Sequence, residues 1–312
     1  MGGWTLVQNK NRGREMIFDS AQIVESSYHP FCSENLYYDS WLNERVYQMP
    51  KYFPTGNENN LLICLTGAHS RKKFSVLITN KIPNLHFNDD TQCFPLYWYE
   101  EARQGGLFGT ELSRRDGVTD FILNRARKLY GVSVSKEDIF YYVYGFLHLP
   151  SYREKFANEL KKSLPKIILV DDAEKFRQLS RAGRELAELH LNYETQEPPE
   201  GVKVIGAESG DFRVVKMRLV NGGRTLIYNE HITIKNIPVE ASVWRVNGRS
   251  ALEWIVDRYQ VKNDAKSGIV NDANAWGIEH DNPRYILDLI LSSITVSLKT
   301  LDIIENLPLI KF

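Results

Sequence analysis

One short segment near the carboxyl end of the chain has residue types that could take part in a reaction. Its sequence is Asp281-Asn282-Pro283-Arg284-Tyr285. An Asn-Pro-Pro-Tyr motif presents a flipped-out base for methylation of its exocyclic amino group, but it needs a preceding strand and a second proline. Here Arg284 replaces that proline, and residues 271–279 are typical of a polar loop. Asn282 suits the N-cap and Pro283 the first position of a helix, so a long helix from residue 283 to about 306 is predicted.

Other patterns that would support catalysis are missing from the sequence. There is no Gly-x-x-x-x-Gly-Lys-Ser/Thr loop to hold a nucleotide phosphate, and the turn at residues 204–210 lacks the Gly-x-Gly core expected for S-adenosylmethionine. The seven histidines have no spacing suited to zinc. The acidic pairs at 171–172 and 89–90 are explained by a helix cap and a loop. The sequence therefore predicts no catalytic residue, no cofactor-binding residue and no metal ligand in this chain.

The bulk composition is that of an ordinary globular protein with balanced charge. The chain has 39 Lys and Arg and 39 Asp and Glu side chains, so bulk charge does not favour nucleic acid. Three widely spaced cysteines, Cys32, Cys64 and Cys93, are predicted to be reduced thiols. With no signal peptide and no long apolar run, these features predict a cytoplasmic location and no membrane partner.

Local clusters of cations remain as candidates for contact with phosphates. One cluster follows a predicted strand and Gly67, a second lies in a predicted loop beyond the Gly105-Gly106 turn, and a third lies on a predicted strand pair and its turn. The candidate residues are Arg71, Lys72, Lys73, Arg114, Arg115, Arg213, Lys216, Arg218 and Arg224. Clusters on loops in a chain without catalytic machinery favour a phosphate-contacting surface.

The elements that must position these residues fall into three segments. In residues 1–115, strands are predicted at 35–38, 61–66, 74–79 and 93–99. In residues 116–196, capping boxes at Ser135-x-x-Asp138 and Ser151-x-x-Glu154 predict the starts of two helices. The second of these helices would bury Tyr152, Phe156, Leu160 and Leu164, and a third would bury Phe176, Leu179, Ala182, Leu186 and Leu189.

Residues 197–312 begin at the Pro-Pro break of residues 197–201. Strands are predicted at 202–205, 212–219, 225–228 and 232–234, with a hairpin turn at Asn221-Gly222-Gly223 and a helix from Ser250 to about Tyr259. The fold class is therefore predicted to be α+β. An N-terminal α/β lobe with a mixed sheet carries an inserted helical bundle, and a β-meander and a long helix follow, all forming one functional unit.

Several segments, taken in order, resemble a known family. Ser27-Tyr28-His29-Pro30-Phe31 followed by Asn35-Leu36-Tyr37-Tyr38-Asp39 resembles the entry into the target-recognition domain of single-chain restriction–modification enzymes. The other matching segments are 43–45, 60–64, 93–99, IFYYVYGFLH at 139–148, 151–156, AGRELAELHLNYE at 182–194, 250–255, 264–272 and 280–289. The combination is similar to the type ISP branch over residues 16–308. His29 is a departure, since the commoner family pattern has arginine there.

The resemblance implies that the chain is the C-terminal target-recognition, or specificity, domain of a type ISP restriction–modification enzyme. The parent polypeptide would also carry a nuclease, a translocating ATPase and an adenine methyltransferase. S-adenosylmethionine, ATP and Mg would serve those domains, with no cofactor in this chain. Its partners would be double-stranded DNA and the upstream methyltransferase and translocase domains, and the nine cations become candidate DNA-binding residues. Arg or Lys would read guanine, and Asn or Gln would read adenine.

Two other interpretations stay open from the residues alone. One is a protein–protein module whose helical part, residues 119–194, packs on a methyltransferase domain. The other is a DNA adenine methyltransferase with degenerate motifs.

Overall fold

The computed structural model describes residues 6–43, 46–68, 70–101 and 112–312, and its elements follow the chain in three groups. The first group is α1 (Leu6–Asn11), β1 (Ile23–His29), β2 (Cys32–Tyr37), α2 (Met49–Tyr52), β3 (Leu62–Leu65), β4 (Val76–Thr79), β5 (Ile82–Pro83), β6 (Gln92–Pro95), β7 (Tyr97–Glu101) and β8 (Leu112–Asp116). The second is α3 (Asp120–Tyr130), α4 (Lys136–Phe146), α5 (Pro150–Lys155) and α6 (Ala173–Leu191). The third is β9 (Lys203–Ile205), β10 (Arg218–Val220), β11 (Thr225–Ile227), β12 (Thr233–Lys235), α7 (Ala251–Arg258), β13 (Lys262–Asn263), β14 (Val270–Asn271), α8 (Asn274–Glu279) and α9 (Tyr285–Glu305). The predicted α+β class is confirmed, whereas the division at residues 115 and 196 stays a prediction.

The sheets of the first group are small, and one of them is mixed. β1 pairs antiparallel with β2 and parallel with β5, while β3 lies between β4 and β6 in an antiparallel sheet. The single strand predicted at 93–99 is in fact two strands. β6 pairs with β3 as far as Pro95, and β7 leaves that sheet at Tyr97 to form a hairpin with β8.

The short strand β3 separates two hydrophobic cores. Side chains on successive strand residues point to opposite faces. Leu62 and Cys64 accordingly belong to a core shared with the third group of elements, and Ile63 and Leu65 to a core shared with the helices of the second group. All four side chains are buried, which explains why the segment is apolar without alternation.

Two glycines allow α4 and α6 to pack backbone against backbone. A Cβ added to Gly183 would lie 1.9 Å from the Tyr141 carbonyl oxygen, and one added to Gly145 would lie 2.2 Å from the Leu179 carbonyl oxygen. Phe176, Leu179, Leu186 and Leu189 on α6 are buried as predicted, while Ala182 is only half-buried. Glycine at both positions therefore sets the separation of α4 and α6.

The two predicted capping boxes of the bundle have different outcomes. The box at Ser135 and Asp138 is confirmed, with both reciprocal hydrogen bonds present. The box at Ser151 is wrong because Pro150 takes the first helical turn, which makes Leu149 the N-cap. The helix also ends at Lys155, so the predicted stripe from Tyr152 to Leu164 does not lie on one helix. The chain turns back instead, and the Tyr152 hydroxyl donates to the carbonyl of Lys166.

The predicted β-meander is present as an antiparallel sheet in the order β10-β11-β12-β9. The turn between β10 and β11 is confirmed at Asn221-Gly222-Gly223, where φ is 53°, 65° and 86°. The predicted strand at 212–219 is reduced to Arg218–Val220. Side chains satisfy the backbone before it: Tyr228 donates to the carbonyl of Phe212, and the Asn274 amide bonds both backbone groups of Val214.

The start of the long final helix also differs from the prediction. α9 begins at Tyr285, whose N–H donates to the carbonyl of Asn282, so Asn282 is not the N-cap. The polar loop predicted at 271–279 instead contains the end of β14 and α8. Asn282 N–H donates to the Gly277 carbonyl at 2.8 Å, which makes the connection between α8 and α9 tight. The helix predicted from Ser250 to about Tyr259 is confirmed as α7, and Ser250 caps it, with Glu253 completing a capping box.

Candidate nucleic-acid interface

The first candidate cluster lies on the loop between β3 and β4. Arg71, Lys72 and Lys73 are exposed, and within the described part of the chain none of their side chains has a hydrogen bond or an ion pair. The base of the loop is fixed by Ser70, whose hydroxyl donates to the carboxylate of Asp89. The predicted loop position is therefore observed, and its three cations carry no internal counter-charge.

A buried polar network holds this loop to the carboxyl-terminal half of the chain. The Ser75 hydroxyl lies 2.8 Å from the side-chain oxygens of both Asn88 and Asn247, and the Thr66 hydroxyl is 3.0 Å from Ser75. Asn88 also donates to the carbonyl of Cys64 at 2.8 Å. Asn247 has a φ of 52°, which places its side chain in a tight turn between Val246 and Arg249. The stem of the basic loop is thus rigidly anchored.

The second candidate cluster was predicted in a loop and lies on a strand instead. Arg114 and Arg115 are in the middle of β8, paired with Tyr99 and Trp98 of β7. Local sequence did not show this because the pairing partner comes from residues 97–101. Arg115 forms an ion pair with Glu100 at 2.7 Å, and the Arg114 guanidinium lies 4.2 Å from the centre of the Tyr97 ring. The predicted Gly105-Gly106 turn lies outside the described residues.

The first two clusters do not form one patch. The β7–β8 hairpin begins beside the start of β3, where Leu96 N–H donates to the Leu61 carbonyl and Asn60 bonds both backbone groups of Tyr97. The basic loop follows the other end of β3. The strand therefore separates the two clusters along its length.

The third candidate cluster surrounds β10 at the edge of the carboxyl-terminal sheet. Arg218 begins the strand, and Arg224 follows the turn after it. Arg213 and Lys216 precede the strand, so the prediction that they lie on a strand pair is wrong. Side chains of Tyr228 and Asn274 bond the backbone there in place of a neighbouring strand. Arg213 forms an ion pair with Asp272 at 2.6 Å. Lys216, Arg218 and Arg224 are exposed and have no ion pair among the described residues.

Two further cations were missed by the sequence analysis. Lys203 of β9 and Lys235 of β12 are register partners in the same sheet, and both are exposed. Their proximity depends on the pairing of strands that are about 30 residues apart, so no local pattern could have revealed it.

A large groove with both polar and apolar lining residues was also missed. It has a volume of about 1010 Å³ and runs beside β2, β5 and α2. The amide and phenol side chains along it are Asn35, Asn43, Gln48, Asn84, Gln92, Tyr28, Tyr38, Tyr47 and Tyr52. Asn and Gln amides can bond adenine through two atoms at once, so these side chains have the chemistry for reading base edges.

His29 lies beside this region but carries no positive charge at neutral pH. Burial, with a smaller contribution from the charge of Arg258, lowers the pKa of His29 to about 4. Its ring stacks on Trp254 at 5.7 Å, and Arg258 lies over the same indole at 5.7 Å. The positive charge beside Trp254 is therefore on Arg258. His29 cannot supply the positive charge that an arginine at this position, as in the commoner family pattern, would supply.

Buried histidines elsewhere have structural contacts. His190 Nδ1 is 2.6 Å from the Tyr144 hydroxyl, its Nε2 is 2.9 Å from Thr300, and its ring stacks on Trp244 at 4.7 Å. Burial lowers the pKa of His190 to about 3, and it also lowers the pKa of His148 well below its usual value. These contacts join α4, α6 and α9, and they keep both rings neutral.

The described ranges contain no group of three or more His, Cys, Asp and Glu side chains placed to hold a metal ion. Over the same ranges no helix combines the length and apolar character needed to cross a membrane. The three cysteines are free, as predicted, and the thiols of Cys64 and Cys93 lie 3.7 Å apart across β3 and β6.

Comparison with known proteins gives one family and several similar structures. Residues 3–289 match the family described as the Type ISP C-terminal specificity domain. The chain is 40% identical to the Type ISP restriction-modification enzyme LlaGI, solved as a nuclease-deletion mutant with a DNA substrate mimic, with a TM-score of 0.82 over 96% of this chain. It is 39% identical to the ATP-dependent Type ISP enzyme LlaBIII bound to DNA, with a TM-score of 0.87 over 99% of this chain.

A third similar structure is the complex of DrdV with DNA, which is 29% identical over 98% of this chain with a TM-score of 0.81. No curated protein matches the chain. The chain spans 26% of the LlaGI chain, 20% of LlaBIII and 30% of DrdV.

Proposed function

The chain belongs to the family of type ISP C-terminal specificity domains, and we propose that it recognises the DNA site on which a longer restriction–modification polypeptide acts. The observation that carries this proposal is the similarity over nearly the whole chain to LlaGI, LlaBIII and DrdV, each solved with DNA or a DNA substrate mimic. The exposed cations on the β3–β4 loop and around β10 that have no ion pair with a described residue agree with it.

The proposed division of labour follows from the chemistry of the two kinds of surface. Arg71, Lys72 and Lys73 would contact phosphates and set the register of the duplex, as would the candidate cations on β8 and around β10. The amides of the groove would contact base edges, where one good bidentate pair discriminates by about 1–3 kcal/mol. Arg114 stacks on Tyr97 and Arg115 is paired with Glu100, so both guanidinium groups are held in place for phosphate contacts.

We further propose that this chain performs no bond chemistry. Methyl transfer, ATP-driven translocation and cleavage would belong to upstream methyltransferase, translocase and nuclease domains, which would use S-adenosylmethionine, ATP and Mg. The chain itself would hold no cofactor. Calorimetry with S-adenosylmethionine tests this directly, and methyl transfer by the purified chain would contradict it.

Fluorescence anisotropy with duplex DNA tests the recognition role. The chain is titrated into a random duplex pool and into duplexes selected by repeated binding from that pool, over a series of salt concentrations. We expect a preference for one sequence and a weakening of binding with salt. Equal binding to selected and random duplexes at every salt concentration would contradict site recognition.

A protein-docking role is the second candidate, and one observation favours it. On and beside α3, Phe121 is 75% exposed and Val132 is 86% exposed. Large apolar side chains with such exposure suit contact with another domain. In that case Phe121→Ser together with Val132→Ser would abolish association with a purified methyltransferase region while leaving duplex binding unchanged.

A further inference from the structure

The outer face of the sheet formed by β9 to β12 carries cations and no carboxylate. Alternation along each strand divides the twelve residues of the sheet into two faces. One face consists of Val204, Leu219, Leu226 and Ile234, which pack into the hydrophobic core that also contains Leu62 and Cys64. The other face carries Lys203, Ile205, Arg218, Val220, Thr225, Ile227, Thr233 and Lys235. The connecting segments hold Glu208, Asp211 and Glu230, but none of the eight outward residues is acidic.

The register places two lysines directly opposite each other on this face. Lys203 and Lys235 are Cα partners in the antiparallel pair of β9 and β12. Directly opposite side chains in such a pair are about 5 Å apart at Cβ, where like charges destabilise the sheet. Neither lysine has an ion pair or a side-chain hydrogen bond with a described residue. The described residues therefore leave this repulsion uncompensated.

The same lack of counter-charge extends to Arg218 and to the margins of the sheet. Arg218 lies on the outer face of β10, with Lys216 before the strand and Arg224 after its turn. Elsewhere many cations are paired, for example Arg115 with Glu100 and Arg245 with Glu253. In a chain whose 39 basic and 39 acidic side chains balance, this local excess marks a surface for an anionic ligand.

The dimensions of the face decide how it would meet a duplex. Four strands at a spacing of about 4.8 Å span roughly 14 Å, which exceeds the ~12 Å width of the major groove. The face therefore cannot enter the groove and would lie over the phosphate backbone. A stretch of duplex about 10 Å long carries roughly six phosphate charges counted over both strands, so about three on the facing side match Lys203, Lys235 and Arg218.

We propose that the outer face of the β9–β12 sheet is a phosphate-clamping surface in which Lys203 and Lys235 together contact the DNA backbone, with Arg218 on the same face two strands from Lys235. The inference rests on the proposed DNA recognition and names a site for it. The face would supply affinity and orientation, and it would not distinguish one base sequence from another.

The test is the salt dependence of duplex binding by the double variant Lys203→Ala with Lys235→Ala. Each lost phosphate contact lowers the slope of log affinity against log salt by about 0.9, so a decrease of about 2 is expected. At 0.15 M salt, affinity should fall roughly 30-fold, and by the same factor for selected and random duplexes. The urea midpoint should not fall, because the change removes a repulsion between exposed side chains.

The matched control is Lys161→Ala with Lys162→Ala. These lysines are also adjacent, exposed and without ion pairs in the described chain, so the net charge changes equally. We expect the control to keep the wild-type slope. An unchanged slope in the Lys203 and Lys235 variant, or the same decrease in both variants, would overturn the phosphate clamp and leave DNA recognition standing. A wild-type chain without any salt-dependent binding would overturn both.

Discussion

The outer face of the β9–β12 sheet and the interior between α4, α6 and α9 treat basic side chains in opposite ways. On the sheet, Lys203 and Lys235 are exposed and lie opposite each other, and no described residue supplies a counter-charge to either. In the interior, His148 and His190 are buried, and His190 bonds Tyr144 and Thr300 through both ring nitrogens. The first arrangement keeps charge available and weakens the sheet, whereas the second removes charge and stabilises the fold.

This difference indicates which changes should affect binding and which should affect stability. A change in the interior should alter unfolding and leave the salt dependence of binding intact. A change on the sheet face should do the reverse.

Replacing Gly183 with alanine should have the largest effect on stability. The added Cβ would lie 1.9 Å from the Tyr141 carbonyl oxygen and 2.8 Å from the Gly145 nitrogen, so α4 and α6 must separate. Alanine gains about 1 kcal/mol in helix propensity, but opening a backbone contact between packed helices should leave a net loss of about 3 kcal/mol. Urea unfolding measures this loss, with Gln178→Ala on the exposed face of α6 as control. If the Gly183→Ala chain were as stable as the control, α4 and α6 would be able to move apart without a loss of stability, which would contradict this prediction.

Protonation of the buried histidines between α4, α6 and α9 at acidic pH should lower the free energy of unfolding by slightly less than the Gly183→Ala change does. Because the pKa values of His148 and His190 are lowered in the folded chain, the unfolded chain binds more protons below about pH 6.5, and stability decreases as pH falls. Two such histidines lose together roughly 2.5 kcal/mol between pH 7.5 and 5.5. Urea midpoints at the two pH values test this. His29, whose pKa is also lowered, adds about half as much again outside this interior, so His190→Gln should remove about one third of the total dependence. An unchanged dependence in that variant would show that protonation of His190 does not cause the loss.

Replacing Lys235 alone with threonine should have the smallest effect on stability, and with the opposite sign. Removal of the repulsion with Lys203 should stabilise the sheet by about 0.5 kcal/mol, while the salt slope of duplex binding decreases by about 1. A stability gain together with a binding loss is the result that a structural role alone would not produce. Lys162→Thr serves as the control for the lost charge.

Local signals in the sequence predicted the parts of the fold that depend on neighbouring residues. The capping box at Ser135 is complete within four residues and the turn at Asn221-Gly222-Gly223 within three, so both were predicted correctly, as was the helix that follows Ser250. Ser151 had the same local pattern, but Pro150 occupies the first helical turn and displaces the cap to Leu149. The error arose where two local signals compete.

The candidate site depended on longer-range pairing, and the sequence indicated less of it. The basic loop at Arg71 follows a buried strand, which the apolar segment before it already predicted. Arg114 lies on β8 only because β7 pairs with it, and Lys203 meets Lys235 only through the register of β9 and β12. Register is set by the whole sheet and its core face, so no inspection of either segment alone gives it.

The hydrogen bonds of Ser75 with Asn88 and Asn247 limit how this domain can be recombined with its relatives. They join residues up to 172 positions apart in the interior. A hybrid that takes the amino-terminal half from one relative and the carboxyl-terminal half from another would pair side chains that were never matched, and any amide left unbonded there costs about 1–3 kcal/mol. Exchange of the complete domain keeps that junction intact, so whole-domain transplantation is the safer route to an enzyme with a new target.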